Sequence, residues 1–397
     1  MHWDSVNWLQ KRFMRWLNNE RMRNMLTFPV ETVNLLDDGK HYVDLEWKQH
    51  VADMWARGHS FFVYRSGSVD SLASCCRLRN ELQDNAFSYT LGAGGIATGS
   101  KCVMTMNLNR LIQNLAQEKG MVSPEDLEEA VGLQTQKLHK YLTAFNAIME
   151  ADFKAGLLPV YSAGFISMDK QFLTIGINGF IEGAEYLGIP ITPCETYQMY
   201  AQAITRPIYE ANKAARTKKL MFNCEFVPAE GLGVKNANWD REDGYIVPRD
   251  VYNSYFYPVE DETCTILDKF ILHGAGFTKH LDGGSALHVN LDEHLSAPQY
   301  EKLLDLAILL GCSYFTFNIP NTICNECEHI SKRKTCYCEA CGSDDLDYAT
   351  RIIGYLTRIS SFSAPRQVEA AHRFYHGAPT KYTSQEDIPC GIEDTLS

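Results

Sequence analysis

Apolar positions recur at helical spacing from the first residues of the chain. Trp3, Trp8, Leu9, Phe13, Trp16 and Leu17 form one stripe among Lys, Arg and Asn over 3–26. That spacing predicts an amphipathic helix with a core-facing or subunit-facing side. A weaker version of the pattern covers 47–57. The period then changes: Phe61-Phe62-Val63-Tyr64 is a short apolar run leading into the turn signal Ser66-Gly67-Ser68, and 102–108 alternates as a strand does. Ser123 stands as N-cap before a long helical pattern over 124–155, with Glu125 and Asp126 in its first turn. Further strands are expected at 158–165, 172–177, 220–227, 286–291 and 314–319, and helices at 179–187, 195–216 and 298–310. Strands alternating with helices predict an α/β architecture with a largely parallel sheet, open or closed. Residues 376–397 lose periodicity and read as a tail.

Composition changes this picture little. With 397 residues, 45% apolar and 22% charged, the chain has the make-up of an ordinary globular protein. A net charge of -12 leaves no basic field for nucleic acid, although a local site for a small phosphorylated ligand stays open. No run of about 18 apolar residues predicts a membrane span. The start, Met1-His2-Trp3-Asp4-Ser5, lacks a signal-peptide core, so a cytoplasmic, reducing compartment is expected.

The 13 cysteines do change it, because five crowd between Cys324 and Cys341. Cys324-Asn-Glu-Cys327 and Cys338-Glu-Ala-Cys341 are two Cys-x-x-Cys pairs, each able to turn two thiolates onto one tetrahedral ion. Four sulfur ligands leave no open position, so one structural zinc per chain is expected. Spacing alone leaves Cys336 open in place of Cys338.

Just beyond lies Arg351-Ile352-Ile353-Gly354-Tyr355-Leu356. A glycine Cα between an amide and a carbonyl, with no Cβ to crowd a flattened centre, can carry an unpaired electron. Taken alone, Gly354 reads as a turn residue. The glycine-rich stretch 92–101 has Gly94 and Gly99 at phosphate-loop spacing, but Ser100-Lys101 inverts the Lys-Ser/Thr order such a loop needs, which excludes an ATPase reading.

The stretch 351–375, "RIIGYLTRISSFSAPRQVEAAHRFY", resembles the glycyl-radical segment of anaerobic (class III) ribonucleotide reductases, in which a zinc-binding pair of Cys-x-x-Cys motifs also lies shortly upstream. "SLASCCRLRN" (71–80) resembles the finger-loop cysteine motif of that family, and "FSYTLGAGGIATGSK" (87–101) and "MNLNR" (106–110) resemble the blocks after it. So do "IGINGFIEGAEYLGI" (175–189), "FVPAEGLGVKNANWDRED" (226–243) and "LDGGSALHVNL" (281–291), all in the family's order.

The resemblance implies a ten-stranded α/β barrel of the glycyl radical type, encoded here in part, with a zinc-ribbon-like module near the C-terminus. It divides the chain into a barrel portion at 1–320, the four-cysteine zinc module at 321–345, and the radical loop and tail at 346–397. Gly354 is implied as the radical store, and Cys76, directly before Arg77, as the thiyl-forming residue. Ser74, Cys75 and Arg77 are counted with the substrate-contacting residues, and Asn107 matches an asparagine placed near the ribose hydroxyls. Pro228-Ala229-Glu230 and Gly283-Gly284-Ser285 read equally as phosphate cradles or as turns. His288 reads as a hydrogen-bonded core histidine, Glu182 and Glu185 as structural, and Cys390 as a spare thiol.

The implied substrate is a ribonucleoside triphosphate, with formate or a redoxin as reductant. A separate radical-SAM iron–sulfur activase is implied as well, since no Cys-x-x-x-Cys-x-x-Cys motif occurs here. A homodimer is implied too. Family chains begin well before the finger cysteine, so a fragment or one half of a split enzyme is expected, inactive and association-prone alone, completed by an N-terminal half and without the allosteric site. A formate-lyase-type acyltransferase, which shares adjacent cysteines but lacks the zinc pairs and the Asn-Leu-x-Arg block, or a non-catalytic zinc-bearing subunit, are the competing readings.

Overall fold

Strands β1 (Thr32–Leu36), β2 (Phe62–Ser66), β3 (Gly99–Asn107), β4 (Gln171–Asn178), β5 (Met221–Phe226), β6 (Leu287–Asn290) and β7 (Tyr314–Asn318) make the body of the protein. They come from a computed structural model that describes residues 3–67, 72–73, 79–80, 99–227, 231–352 and 354–377. β3, β4 and β5 lie side by side and parallel. β6 pairs parallel with β7, β7 antiparallel with β2, and β2 parallel with β1. A parallel bridge from Glu225 to Gly284, where Phe226 N–H donates to the Gly284 carbonyl at 3.2 Å, joins the two groups just ahead of β6. Five strands thus run one way in the order β3-β4-β5-β6-β7, and β2 and β1 follow in the opposite sense.

All eight residues of β4 are buried, as are all of β6 and β7. Burial on both faces explains why Phe-Leu-Thr-Ile-Gly-Ile reads as a continuous apolar run and not as an alternation. The flanking helices include Leu108–Lys119, Pro124–Lys154, Phe180–Tyr186, Glu195–Ala215 and Ala297–Leu310. Ser123 caps the longest of them as its sequence predicts: its Oγ accepts from Asp126 N–H at 3.1 Å, and Asp126 answers on the Ser123 N–H.

One expected strand is absent. Residues 158–165 hold a short helix, Pro159–Ser162, instead. Proline presets the first helical turn and lacks the N–H a ladder needs, and Gly164, at φ +78°, closes the segment. The helix Leu108–Lys119 begins in the block 106–110, and the helix Leu232–Glu242 lies inside the block 226–243, both noted above for their motifs but not for their periodicity.

The rest of the chain forms a small antiparallel sheet from β8 (Asn321–Cys324), β9 (Ile330–Ser331), β10 (Leu346–Arg351) and β11 (Leu356–Arg358), ordered β9-β8-β10-β11. The sheet runs across position 345, so the cysteine module and the segment bearing Gly354 share one set of ladder hydrogen bonds. The helix Ala364–His372 follows.

Candidate active site at the strand ends

Four of the five parallel strands finish in asparagine: Asn107, Asn178, Asn290 and Asn318. Ligand sites of parallel α/β folds gather at this carboxyl end. Asn107 and Asn178 are register partners, and so are Asn290 and Asn318. Asn318 Nδ2 lies 3.2 Å from Asn290 Oδ1, 3.1 Å from His288 Nδ1 and 3.2 Å from the carbonyl of Arg351. Through that last contact the small sheet docks on the strand ends. His288 is a buried, hydrogen-bonded histidine, as its sequence context predicts.

Asn107 has both polar atoms engaged. Its Oδ1 accepts from Arg110 N–H at 3.3 Å as N-cap of the next helix, and its Nδ2 donates to both Asp240 oxygens at 2.9 Å. Asp240 is fully buried and also receives Arg110 Nε (2.7 Å), Asn109 Nδ2 (3.2 Å) and Tyr252 Oη (2.7 Å). The blocks 106–110 and 226–243, far apart in sequence, therefore meet on one carboxylate. Sequence reasoning missed Asp240, although it lay inside a noted block. Burial, then the Asp240 hydrogen bond, push the Tyr252 phenol well above its ordinary pKa.

Gly354 lies in the loop joining β10 to β11, where Arg351 and Leu356 are the last register pair. Arg373 donates from Nη1 to the Arg351 carbonyl at 2.9 Å and from Nη2 to the Ile352 carbonyl at 2.6 Å. Arg351 itself reaches back to the Ser60 carbonyl at 3.1 Å, and its guanidinium lies 5.0 Å from the Phe62 ring centre. Arg373 gave no signal in the sequence beyond its i,i+4 spacing from Glu369.

The glycines 283 and 284 are packing residues in part. Their N–H groups are spent on the Cys224 and Leu281 carbonyls, at 2.7 and 3.0 Å. A Cβ on Gly283 would meet the Cys224 carbonyl oxygen at 2.6 Å, so only glycine lets the two segments approach. Of the two readings left open, phosphate cradle or turn, these bonds favour the turn at Gly283 and Gly284; Ser285 is buried beside them. Glu182 is structural but not superficial: buried, it accepts from Arg249 Nη1 and Asn253 N–H, both at 2.9 Å, and Arg249 also holds Glu185 at 2.7 Å. Burial pushes its carboxyl up against the pull of Arg249. Ser74, Cys75, Cys76, Arg77, Pro228, Ala229, Glu230 and Cys390 lie outside the described residues. Leu72–Ala73 and Arg79–Asn80, on either side of 74–78, pair antiparallel.

The four cysteine sulfurs of Cys324, Cys327, Cys338 and Cys341 lie within 4.8 Å of one another. Cys324 and Cys341 are 3.6 Å apart and Cys327 and Cys338 3.5 Å. A tetrahedral ion with metal–sulfur bonds of about 2.3 Å sets its sulfurs about 3.8 Å apart, so the donor set fits zinc. Cys338, and not Cys336, completes it. Backbone N–H groups of Cys341 and Ala340 draw the Cys338 thiol down, toward the thiolate a metal requires, while the neighbouring thiols, against backbone N–H bonds, push Cys327 and Cys341 up.

The family model for anaerobic ribonucleoside-triphosphate reductase matches residues 3–376. The chain belongs to that family. No curated protein matches it. Among solved structures, an anaerobic ribonucleotide reductase is 26% identical with a TM-score of 0.80, over 94% of this chain and 59% of its own. The anaerobic ribonucleotide reductase of Thermotoga maritima, solved with dATP and CTP, is 27% identical with a TM-score of 0.77, over 92% of this chain and 59% of its own. A glycyl radical enzyme of Archaeoglobus fulgidus shares the fold at a TM-score of 0.60 and 11% identity, over 90% of this chain and 53% of its own. The chain thus spans about three-fifths of the length of its reductase neighbours, and its α/β architecture is that of the glycyl radical enzymes. No helix among the described residues is long and apolar enough to cross a membrane.

Proposed function

We propose that this chain carries the radical-bearing catalytic portion of an anaerobic ribonucleoside-triphosphate reductase working in the cytoplasm. The observation that carries this reading is the placement of Gly354, in a loop held over the carboxyl ends of parallel strands by Asn318 and Arg373. A radical-SAM activase removes one hydrogen atom from the Gly354 Cα. The Gly354 radical then takes the hydrogen of the Cys76 S–H, and the resulting thiyl takes the ribose 3′ hydrogen. The 2′ hydroxyl leaves as water, formate or a dithiol redoxin supplies two electrons, and Cys76 returns the 3′ hydrogen.

The ribose lies over the asparagine row in this reading. Asn107 offers it the second lone pair of Oδ1, since the other caps a helix and Nδ2 is held by Asp240. Ser74, Cys75 and Arg77 border the reacting thiol. Pro228-Ala229-Glu230 and Ser285 supply phosphate contacts. A single zinc held by Cys324, Cys327, Cys338 and Cys341 keeps the sheet that carries Gly354 in shape, and two copies of the enzyme pair as a homodimer.

Anaerobic incubation with the activase, S-adenosylmethionine and a low-potential reductant, followed by electron paramagnetic resonance, tests the reading. The expected spectrum is a doublet split by one α-hydrogen, abolished in Gly354→Ala, with chain cleavage at Gly354 on exposure to air. A doublet that survives Gly354→Ala, or no doublet at all, sinks it.

A further inference from the structure

Three side chains from distant parts of the chain end on two consecutive carbonyls just ahead of Gly354. Arg373 holds both, Asn318 Nδ2 lies 3.2 Å from the Arg351 carbonyl, and Tyr255 Oη lies 3.4 Å from that of Ile352. The Arg373 side chain is 1% exposed. Its Nη2 also donates to Glu369 at 2.6 Å, and Glu369 in turn binds Arg366. A buried relay of charges therefore runs from the helix Ala364–His372 to the loop.

Apolar packing alone already seats this loop, because Ile352 and Ala370 are buried together with Tyr355, Ile359 and Phe362 against them. A buried guanidinium is a demanding addition to such a contact. Among the described residues Arg373 Nε has no hydrogen-bond partner, so there the group forgoes one bond in the pose that serves the two carbonyls. Burial alone would lower the Arg373 pKa, but Glu369 outweighs it and keeps the guanidinium charged. Burial would likewise raise Glu369, and Arg373 and Arg366 hold it below its ordinary value. The pair is thus ionised, and the carbonyls receive charge-assisted hydrogen bonds.

We propose that Arg373 is a positioning residue for the radical, pinning the 351–352 and 352–353 peptide planes, one peptide short of Gly354, and so limiting where its Cα stands. The inference rests on the reading of Gly354 given above. Hydrogen-atom transfer between Cα and a thiol needs the two atoms close and aligned, and a misplacement of about 1 Å costs about 100-fold in rate. The planar fork of arginine reaches two carbonyls at once; an ammonium group does not.

The test uses the full chain together with the N-terminal half expected to complete it, activated as above, in three forms: parent, Arg373→Lys, and Arg373→Ala with and without added methylguanidinium. Zinc content and the unfolding transition are measured on each. The expected result is a parent doublet, and in Arg373→Lys about 100-fold less product per glycyl radical with KM for the nucleotide unchanged. Methylguanidinium should restore part of the loss in Arg373→Ala. Parental turnover per radical in Arg373→Lys overturns the inference while leaving Gly354 in place. A rise in KM in place of the fall in kcat also overturns it, as does loss of cooperative unfolding in both variants, which makes Arg373 a plain structural ion. A parent without a doublet overturns the reading of Gly354 and this inference with it.

Discussion

The two ends of the small C-terminal sheet are held by opposite means. At one end, Cys324, Cys327, Cys338 and Cys341 converge through two tight turns, with every ligand drawn from one short stretch and two of the four exposed. At the other, the loop around Gly354 is fixed by Tyr255, Asn318 and Arg373, by Ser60 through Arg351, and by the ring of Phe28 at 5.9 Å from that of Tyr355. The first region is specified by local spacing, and the second by the completed fold. A site built locally can serve as a staple for a sheet. On the proposed reading of Gly354, the loop presents one Cα hydrogen to a thiol elsewhere and so takes its coordinates from the barrel.

The sharpest way to break that contrast is Cys338→Ser. If the cysteine end is a metal staple, the variant should bind no zinc. Structural zinc in isolated fingers contributes on the order of 10 kcal/mol, more than a small sheet can replace. The sheet β8–β11 should therefore lose its amide protection in hydrogen exchange while β3–β7 keep theirs. Retention of both zinc and protection would mean that the strands hold the site and not the reverse.

A smaller effect is expected from the barrel side. Asp240→Ala removes the acceptor shared by Asn107, Asn109, Arg110 and Tyr252. Stripping a buried carboxylate from its donors costs about 3 kcal/mol, which should lower the denaturation midpoint without changing zinc content. Arg358→Ala, by contrast, breaks a partly exposed pair with Asp347 at 3.4 Å and should cost under about 1 kcal/mol. Equal shifts in the two variants would show that Asp240 is not a hub.

What the sequence disclosed follows the same division. The cysteine cluster was legible because two short turns bring four sulfurs together; only the choice between Cys336 and Cys338 needed coordinates. Strands β4 to β7 were legible because burial on both faces leaves largely apolar runs, and the half-buried β3 because it alternates. The segment 158–165 misled because its apolar residues suit a strand, while Pro159 and Gly164 govern its backbone. Gly354 was visible as a motif, but nothing local marked Arg373, whose role depends on a carbonyl of Ile352 brought to it by the hairpin. Asp240 was hidden for the same reason: a carboxylate in "NWDRED" looks solvated until Asn107 and Arg110 are folded onto it.

Acid gives the mildest test, because it reaches the barrel through His376, whose backbone N–H donates to the Asn290 carbonyl at 3.0 Å, and the cysteine end through other groups. Burial first, and the neighbouring Lys269 second, hold the His376 imidazole down at about 4, with Lys269 Nζ 2.8 Å from its Nε2. Its folded pKa thus lies below the ordinary value of about 6.5. Between about pH 6.5 and 4 the unfolded chain binds a proton that the folded chain refuses, so stability falls as the pH is lowered through that window. Lys269, drawn down to about 8 by burial, is charged in both states there and adds no slope. Because His376 is only half buried, solvent screening should trim the effect to about 1 kcal/mol. His376→Gln should flatten the fall of the unfolding midpoint between pH 6.5 and 4 and leave unchanged the pH at which the cysteines release zinc. If the variant instead shifts zinc release and leaves the midpoint curve as steep as before, the barrel and the cysteine end are coupled, and the separation between a local staple and a fold-positioned loop does not hold.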